Sequence, residues 1–211
     1  MSAQPRRALV VIDVQNEYVS GDLPIEYPDV HTSLANIGRA IDAARTAGVP
    51  VVVVQNFAPA ESPLFARGSA GAELHDVVAS RERDHYVEKS LPSAFAGTDL
   101  GAWLAARGID TLTIVGYMTH NCDASTAFDA THAGLAVEFL EDATGAVPYE
   151  NSAGAASAAE IHRVFSVVMQ SRFAAVASTD AWLAALAEGA SLPRDNIYLS
   201  NQRARKARVA A

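Results

Sequence analysis

Three reactive side chains stand where predicted strands end: an aspartate, a lysine and the chain's only cysteine. Asp13 follows the apolar run ALVVI, Lys89 follows HYVE, and Cys122 comes after TIVG and the loop YMTHN. Ligands of parallel α/β sheets bind beyond the carboxyl ends of the strands. We therefore predict that the three side chains meet in one site. Each also has an ordinary explanation: a turn acid, a solvated strand-edge charge and a small buried apolar side chain.

A carboxylate, an ammonium and a thiol together favour acyl transfer. Cys122 opens a predicted helix, so the positive end of the helix dipole and the charge of Lys89 are expected to lower its pKa. Asp13 could accept the thiol proton and later return it to a leaving group. Backbone N–H groups at the helix start could hold the oxyanion of a tetrahedral intermediate, where one donor contributes about 3–4 kcal/mol in other hydrolases.

Motifs of several other α/β enzymes are absent from the sequence. The first strand is followed by DVQNEYVSGD rather than a G-x-G-x-x-G turn, and neither a phosphate loop nor a G-x-S-x-G turn occurs. Val14 and Gln15 after Asp13 disfavour a phosphatase with paired carboxylates. The histidines show no metal-ligand spacing, so surface or hydrogen-bonded roles explain them best. His120, beside the cysteine loop, is the strongest candidate for another role.

Short apolar runs alternate with helical patterns along the chain. The runs suit strands covered on both faces, and they lie at residues 8–12, 51–55, 86–88, 111–116, 136–140 and 174–177. Helices are predicted over residues 34–44, 72–79, 100–104, 122–133, 155–170 and 181–188. This alternation predicts a single domain over residues 1–211, a three-layer, doubly wound α/β sheet of about six mostly parallel strands with helices on both faces.

The composition indicates a globular protein, which we expect to be cytoplasmic. Half of the residues are hydrophobic, and the formal charge of −8 disfavours nonspecific binding to nucleic acid or anionic membranes. A single cysteine cannot form an internal disulfide, and the N-terminal apolar run is too short for a signal sequence or a membrane span. The segment from about residue 190 to 211 ends in QRARKARVAA, which favours a solvated tail or an arm on an acidic neighbour over a nucleic-acid arm.

Three segments resemble the isochorismatase-like family of cysteine hydrolases, whose members include nicotinamidases and N-carbamoylsarcosine amidohydrolase. The segments are ALVVIDVQNEY, YVEKSLPSAFAGTDL and TIVGYMTHNCDASTAFDATHAG. Their order, their spacing and the predicted α/β alternation also agree with the family, so the resemblance extends over about residues 6–180. It is specific to the family and not to one substrate.

The resemblance assigns roles to particular residues. Asp13, Lys89 and Cys122 match the family's catalytic triad, and Gln15 matches the glutamine two places after the acid. Tyr18 matches an aromatic position that lines the pocket, where phenylalanine is more usual. The family also implies a homodimer or a higher homo-oligomer.

A second implication of the resemblance concerns the loop before the cysteine. The family has a non-proline cis peptide four residues before the nucleophile, which here falls between Tyr117 and Met118. This bond would turn the N–H of Met118 beside the N–H of Cys122. The resemblance therefore implies an oxyanion hole formed by Met118 and Cys122.

Two departures from the family narrow the expected chemistry. Nicotinamidases carry an Asp/His metal cluster after the second strand, whereas VVVVQNFAPAESPLF has no histidine or aspartate. We therefore predict no metal site and no cofactor. True isochorismatases cleave a vinyl ether by protonation and lack the nucleophilic cysteine, so the presence of Cys122 favours a C–N bond.

These observations predict a cofactor-independent hydrolase that cleaves an amide, ureide or carbamoyl bond of a small-molecule substrate through a thioester. Tyr18, Phe57, Phe95 and Tyr117 are candidate walls of an apolar pocket, with plain core packing as the alternative for each. Two other functions stay open. One is an isochorismatase-type vinyl-ether hydrolase that uses Asp13 as its acid, and the other is a thiol redox sensor or binding module without turnover.

Overall fold

The central strands carry apolar side chains on both faces. The computed structural model describes residues 4–209. Every residue of the first strand, Arg7–Ile12, is buried. Its side chains alternate between two cores, so that Leu9 packs into one and Val10 into the other. A strand of this kind requires helices on both sides of its sheet.

Eight strands and seven α-helices are assigned within residues 4–209. The strands are β1 (Arg7–Ile12), β2 (Val51–Asn56), β3 (His85–Lys89), β4 (Thr111–Tyr117), β5 (Ala136–Gly145), β6 (Tyr149–Asn151), β7 (Gly154–Ala156) and β8 (Ala175–Ala177). The α-helices are α1 (Val30–Thr46), α2 (Asp76–Ala79), α3 (Leu100–Ala106), α4 (Cys122–His132), α5 (Ala158–Val168), α6 (Thr179–Glu188) and α7 (Ile197–Val209). A 3₁₀ turn follows β1 at Asn16–Tyr18, and a π-helical turn follows α5 at Met169–Phe173.

Six strands form one sheet in the order β3-β2-β1-β4-β5-β8, and every neighbouring pair is parallel. Strands β2 and β3 lie on one side of β1, in chain order outward, and β4, β5 and β8 lie on its other side. The order therefore reverses between β1 and β4, where an α/β sheet opens a crevice at its carboxyl edge. Strands β6 and β7 form a separate antiparallel hairpin. The predicted doubly wound sheet is confirmed.

Helices cover both faces of this sheet and complete three layers. On one face, α1 and α6 bury Ile37, Ile41 and Trp182 against the strands. On the other face, α3 and α4 bury Leu104 and Ala127. No helix within residues 4–209 combines the length and the apolarity that a bilayer crossing requires.

A buried carboxylate joins four of these elements. The Glu138 side chain in β5 pairs with Arg7 of β1, with Nη2 and Oε1 2.7 Å apart and both side chains almost fully buried. Its other oxygen accepts hydrogen bonds from Thr113 Oγ1 at 2.7 Å and Trp182 Nε1 at 2.9 Å. The pair is therefore well hydrogen-bonded, as a buried charge must be.

Several helix boundaries differ from the sequence prediction. Only Asp76–Ala79 of the helix predicted over residues 72–79 is helical, because the backbone before it serves other bonds: the Ala72 carbonyl accepts from Gln15 and Gln55. The helix predicted from residue 155 begins after Ser157, whose side chain forms a capping box with Glu160.

Two further elements differ from the prediction, because one strand is longer and one segment is helical. Strand β5 continues past residue 140 to Gly145. The basic segment near the C-terminus, predicted as a solvated tail, is helical from Ile197 to Val209, with Ile197, Tyr198 and Leu199 exposed. Residues 210 and 211 of that segment lie outside the described residues.

Candidate active site

Asp13, Lys89 and Cys122 meet at the carboxyl edge of the sheet. The Lys89 ammonium lies 2.6 Å from Asp13 Oδ2 and donates a hydrogen bond of 3.2 Å to Cys122 Sγ. The contact with Asp13 is an ion pair without hydrogen-bond geometry, since neither oxygen of that carboxylate has a hydrogen-bond partner within residues 4–209. Asp13 is 0% and Cys122 only 6% exposed. The three residues singled out in the sequence thus form one nearly closed cluster.

Asp13 is held by the turn that ends β1. Its φ is +51°, a left-handed conformation uncommon for a residue with a side chain, and its N–H donates to the Val54 carbonyl at 3.0 Å. Gln15 fastens the same turn to the end of β2. Its amide nitrogen donates to the carbonyls of Asn56 at 2.9 Å and Ala72 at 2.7 Å, and its oxygen accepts from the Asn56 N–H at 2.9 Å. Gln15 therefore supports the position of the acid and does not contact the sulfur.

Lys89 is the last residue of β3, at the edge of the sheet. Because β2 lies between β3 and β1, only a long side chain can bring a charge from this position to Asp13. The Lys89 carbonyl accepts from the Phe57 N–H at 2.9 Å, which ties the end of β3 to the chain leaving β2.

The loop from β4 to α4 delivers Cys122. Gly116 has a φ of +122°, and a Cβ atom there would lie 2.0 Å from the Ile12 carbonyl oxygen, so only glycine fits. The following Tyr117–Met118 peptide bond is cis. The loop is then pinned to β5, because the Thr119 N–H donates to the Gly145 carbonyl at 2.8 Å.

The Cys122 thiol has a raised pKa, which corrects the prediction made from its position at a helix N-terminus. Burial is the largest cause, and the neighbouring Asp13 raises the pKa further, while Lys89 lowers it only in part. Burial likewise raises the pKa of Asp13, and the Lys89 charge offsets part of that rise. Desolvation therefore outweighs the Lys89 charge here, which favours the thiol over the thiolate at rest.

The four aromatic residues proposed as pocket walls are placed differently from one another. Phe57 lines a cavity of about 300 Å³ together with Lys89, and the Arg67 guanidinium lies over its ring. Phe95 is half-buried and packs against the core beneath α3 and α4. Tyr18 and Tyr117 are buried, with ring centroids 5.4 Å apart, and the Tyr117 hydroxyl is 2.7 Å from Ser33 Oγ. Tyr117 is thus a core side chain in this structure.

A larger cavity of about 550 Å³ lies elsewhere. It is lined by Tyr27, Glu141, His162 and other residues of α5 and its surroundings, and it contains none of the three clustered residues. The smaller cavity includes Lys89 but neither Asp13 nor Cys122, and the Lys89 side chain is 0% exposed. We therefore place the chemistry at the buried cluster itself.

Comparison with known proteins connects this arrangement to one family. The sequence model of one protein family, described as the isochorismatase domain, matches residues 7–181. The crystal structure of an isochorismatase-family protein from Burkholderia xenovorans LB400 superposes with a TM-score of 0.97 at 78% sequence identity, covering 98% of this chain and 100% of that one. This chain belongs to the isochorismatase family.

Curated relatives show how varied the family is. The secreted isochorismatase effector Isc1 of Verticillium dahliae is 37% identical over 65% of this chain and 71% of its own length. The ureidoacrylate amidohydrolase RutB of Variovorax paradoxus is 32% identical over 65% of this chain and 68% of its own length. The resemblance seen in three sequence segments is therefore confirmed at family level, and these two relatives carry names of different reactions.

This isochorismatase-family site contains an acid that the sequence did not single out. Asp123, directly after Cys122, is 0% exposed, and neither of its carboxyl oxygens has a hydrogen-bond partner among the described residues. Burial raises its pKa, and Asp13 raises it further. An aspartate in the first turn of a helix usually faces solvent and the helix dipole, so its sequence position gave no signal of this burial.

His120 lies beside the nucleophile loop, as its sequence position indicated. Its Nε2 is 3.1 Å from the hydroxyl of Tyr149 in the β6–β7 hairpin, and its ring packs edge-on against Tyr149 and Phe165. Burial lowers its pKa to about 4, so it is neutral at physiological pH. Within residues 4–209 no three histidine, cysteine, aspartate or glutamate side chains gather as a metal ion would require. A metal-free reaction stays a prediction.

Proposed function

We propose that this protein is a cofactor-independent thiol hydrolase that cleaves a C–N bond of a small amide, ureide or carbamoyl compound. The observation that carries the proposal is the Lys89 ammonium, which contacts both the Asp13 carboxylate and the Cys122 sulfur. Such a cluster can generate a thiolate, stabilise it and move its proton. The ureidoacrylate amidohydrolase among the relatives supports a C–N bond as the target.

The reaction would begin with transfer of the thiol proton from Cys122 to Asp13. Both groups have pKa values raised by burial, so Asp13 is a stronger base than a solvated aspartate, and Lys89 stabilises the thiolate once it forms. The sulfur attacks the substrate carbonyl carbon, and the resulting oxyanion would accept hydrogen bonds from the N–H groups of Met118 and Cys122.

Three proton transfers complete the cycle. As the tetrahedral intermediate collapses, the C–N bond breaks, Asp13 donates its proton to the departing nitrogen, and the acyl group stays on Cys122 as a thioester. Asp13, again a carboxylate, then takes a proton from water, and the hydroxide attacks the thioester. The acid product leaves, and the proton returns to the Cys122 sulfur.

A second candidate function is the hydrolysis of a vinyl ether. Asp13 has a raised pKa because it is fully buried, and an acid that holds its proton is suited to protonating an enol-ether carbon. One relative is named a secreted isochorismatase effector, and the isochorismatase reaction is the hydrolysis of a vinyl ether. In this alternative Cys122 has no covalent role.

A substrate screen with active-site variants separates these functions. Small amides, ureides, carbamoyl compounds and isochorismate are incubated with the wild-type protein, and release of ammonia, amine or pyruvate is measured. For the amidase, Cys122→Ala and Asp13→Asn should each lower kcat by about 10⁴-fold or more, and the double variant should be little worse, since the two residues act as one unit. Asp129→Asn, in the same helix as Cys122, is the matched control.

The variants give opposite results for the two reactions. If Cys122→Ala retains activity on the true substrate while Asp13→Asn loses it, the covalent mechanism is wrong and the vinyl-ether reaction replaces it. If the wild-type protein turns over nothing while its thiol reacts reversibly with disulfides, the protein is a thiol sensor.

Exhaustive chelation tests the absence of a metal requirement. The cluster that we propose needs only protein groups, so dialysis against a strong chelator should leave kcat within about twofold of its starting value. Metal analysis of the purified protein should show less than stoichiometric zinc and iron. Loss of activity on chelation, with recovery on adding one metal, would reverse this prediction.

A further inference from the structure

Asp123 is a buried polar group that the proposed reaction does not use. It is 0% exposed, and both of its carboxyl oxygens lack a hydrogen-bond partner within the described part of the chain. A buried carboxyl group without partners is costly, and such groups in native proteins call for an explanation. Asp123 directly follows Cys122 in the first turn of α4, and its charge is influenced by both Asp13 and Lys89, so this unused hydrogen-bonding capacity lies near the catalytic cluster.

The charges around Asp123 determine its protonation. Asp13 and Lys89 both lie close enough to influence it, with opposite signs. Lys89 already forms an ion pair with Asp13 at 2.6 Å. A second buried carboxylate would therefore have no counterion, so Asp123 holds a proton when Asp13 is ionised. Burial raises the pKa of Tyr18 too, and Asp123 is among the groups that raise it further, so this phenol stays neutral.

A protonated carboxyl group offers one O–H donor and one carbonyl acceptor side by side. This pair is complementary to an amide or ureide group, in which a carbonyl acceptor and an N–H donor are also adjacent. An ionised carboxylate would offer acceptors alone. The neutral Asp123 carboxyl is therefore suited to bind an amide-type group. No group within the described residues forms a hydrogen bond with either of its oxygens.

We propose that Asp123 is a specificity-determining residue whose protonated carboxyl binds an amide-type group of the substrate. Its O–H donates to the carbonyl oxygen, and its own carbonyl oxygen accepts from the N–H. This inference rests on the proposed function and narrows it. The attacked carbonyl is held at the oxyanion site, so the group at Asp123 is a second one. The substrate class is then a ureide or diamide with two amide-type groups.

The thiol itself provides a test that needs no turnover. Iodoacetamide carries its primary amide directly on the carbon that the sulfur attacks, whereas methyl methanethiosulfonate has no amide. Both label Cys122, the only thiol in the chain. The ratio of the two labelling rates measures amide recognition, because the accessibility and the ionisation of the thiol affect both reagents.

Three variants make the ratio decisive. Asp123→Val removes the donor and the acceptor, and the iodoacetamide to methanethiosulfonate ratio should fall about tenfold, the value of a pair of neutral hydrogen bonds. Asp123→Asn restores one N–H donor and one carbonyl, and its ratio should stay within about threefold of wild type. Asp129→Val, in the same helix, should leave the ratio unchanged. An unchanged ratio in Asp123→Val, or an equal loss in Asp123→Asn, overturns the proposal.

A thermal melt tests whether a changed labelling ratio in Asp123→Val comes from a loss of stability instead of a loss of amide binding. Because Asp123 has no hydrogen-bond partner in the described protein, Asp123→Val should melt at the wild-type temperature or above it. A large drop would mean that the carboxyl has a structural partner and that the proposal is wrong. The outcome is also separable from the fate of the proposed function. An active amidase whose ratio is unchanged in Asp123→Val refutes only the role of Asp123, while an unchanged ratio in a protein without amidase activity refutes both.

Discussion

Lys89 is a single charge that serves two acidic groups. Burial acts to lower its pKa, but the Asp13 carboxylate and the Cys122 sulfur together raise it, so the ammonium stays charged. In return it opposes the desolvation that raises the pKa of each partner. The proton that moves between Asp13 and Cys122 therefore does so next to a fixed positive charge, which costs no rearrangement during the reaction.

Lys89→Met removes that charge while keeping a side chain of similar length. The pKa of Cys122 should rise further, so the rate of labelling by methyl methanethiosulfonate at a fixed pH should fall about tenfold or more, and its pH profile should move to higher pH. Lys206→Met, at the only other lysine of the chain, is the matched control and should label at the wild-type rate. An unchanged rate in Lys89→Met would show that the ammonium does not influence the thiol.

The sequence predicted which residues meet, but not how they titrate. Strand order alone brings Asp13 and Cys122 to the same edge, since β1 and β4 are neighbours at the point of reversal. The pKa of Cys122 depends instead on desolvation, which is set by side chains from several elements packing over the site. The same holds for Asp123, whose burial follows from how α4 lies on the sheet and not from any local pattern.

At the scale of elements, the Glu138 carboxylate links the sheet to a helix. It joins β1 through Arg7, β4 through Thr113 and α6 through Trp182. The Arg7 and Glu138 side chains are only 2% and 4% exposed. In this environment, removing one partner is far more harmful than removing both, because a lone buried charge has neither water nor a counterion.

Glu138→Leu should therefore lower the free energy of unfolding by about 3–5 kcal/mol. The double variant Arg7→Met/Glu138→Leu should recover a large part of that loss, since no charge is left unpaired. Urea denaturation followed by circular dichroism measures both. Glu82→Gln breaks an exposed pair with Arg45 and should change the stability little. If the double variant is less stable than Glu138→Leu alone, the pair contributes more than charge compensation.

Elements with a dense apolar pattern were predictable, and sparsely apolar ones were not. The continuous apolarity of residues 51–55 identified β2, because a central parallel strand is buried on both faces. The end of β5 contains Glu141, Asp142 and Thr144, so its last residues look like a loop in the sequence. Helix α7 has mostly charged and polar residues after its first turn, and without an apolar stripe no pattern indicated a helix.

On the scale of the whole molecule, α5 and α7 expose an apolar surface. Val164, Val167 and Val168 of α5, with Ile197, Tyr198 and Leu199 of α7, are each at least 41% exposed. The two helices are adjacent, because Val167 and Ser200 line the same cavity. Clusters of exposed apolar residues on neighbouring helices often mark a protein–protein contact. We expect it to support the homo-oligomer that the family resemblance implies.

Sedimentation velocity tests this expectation. The wild-type protein should sediment as a dimer or larger species, and Val167→Glu combined with Tyr198→Glu should shift it toward the monomer, since charges placed in an apolar interface lose their hydration without gaining partners. Thr46→Glu, an exposed change on α1, should leave the sedimentation coefficient as it is. A wild-type protein that sediments as a monomer at micromolar concentration would contradict the prediction.

The near closure of the site has a kinetic meaning. With Cys122 only 6% exposed, we expect a substrate or a thiol reagent to reach the sulfur only when the surrounding chain opens. The labelling rate should then grow with the reagent at low concentration and level off at the frequency of opening at high concentration. Because the chain has one thiol, that plateau can be read from a single reaction without background. If such a plateau is found, turnover should not exceed the same frequency, and a labelling experiment made before any substrate is known would set an upper limit for kcat.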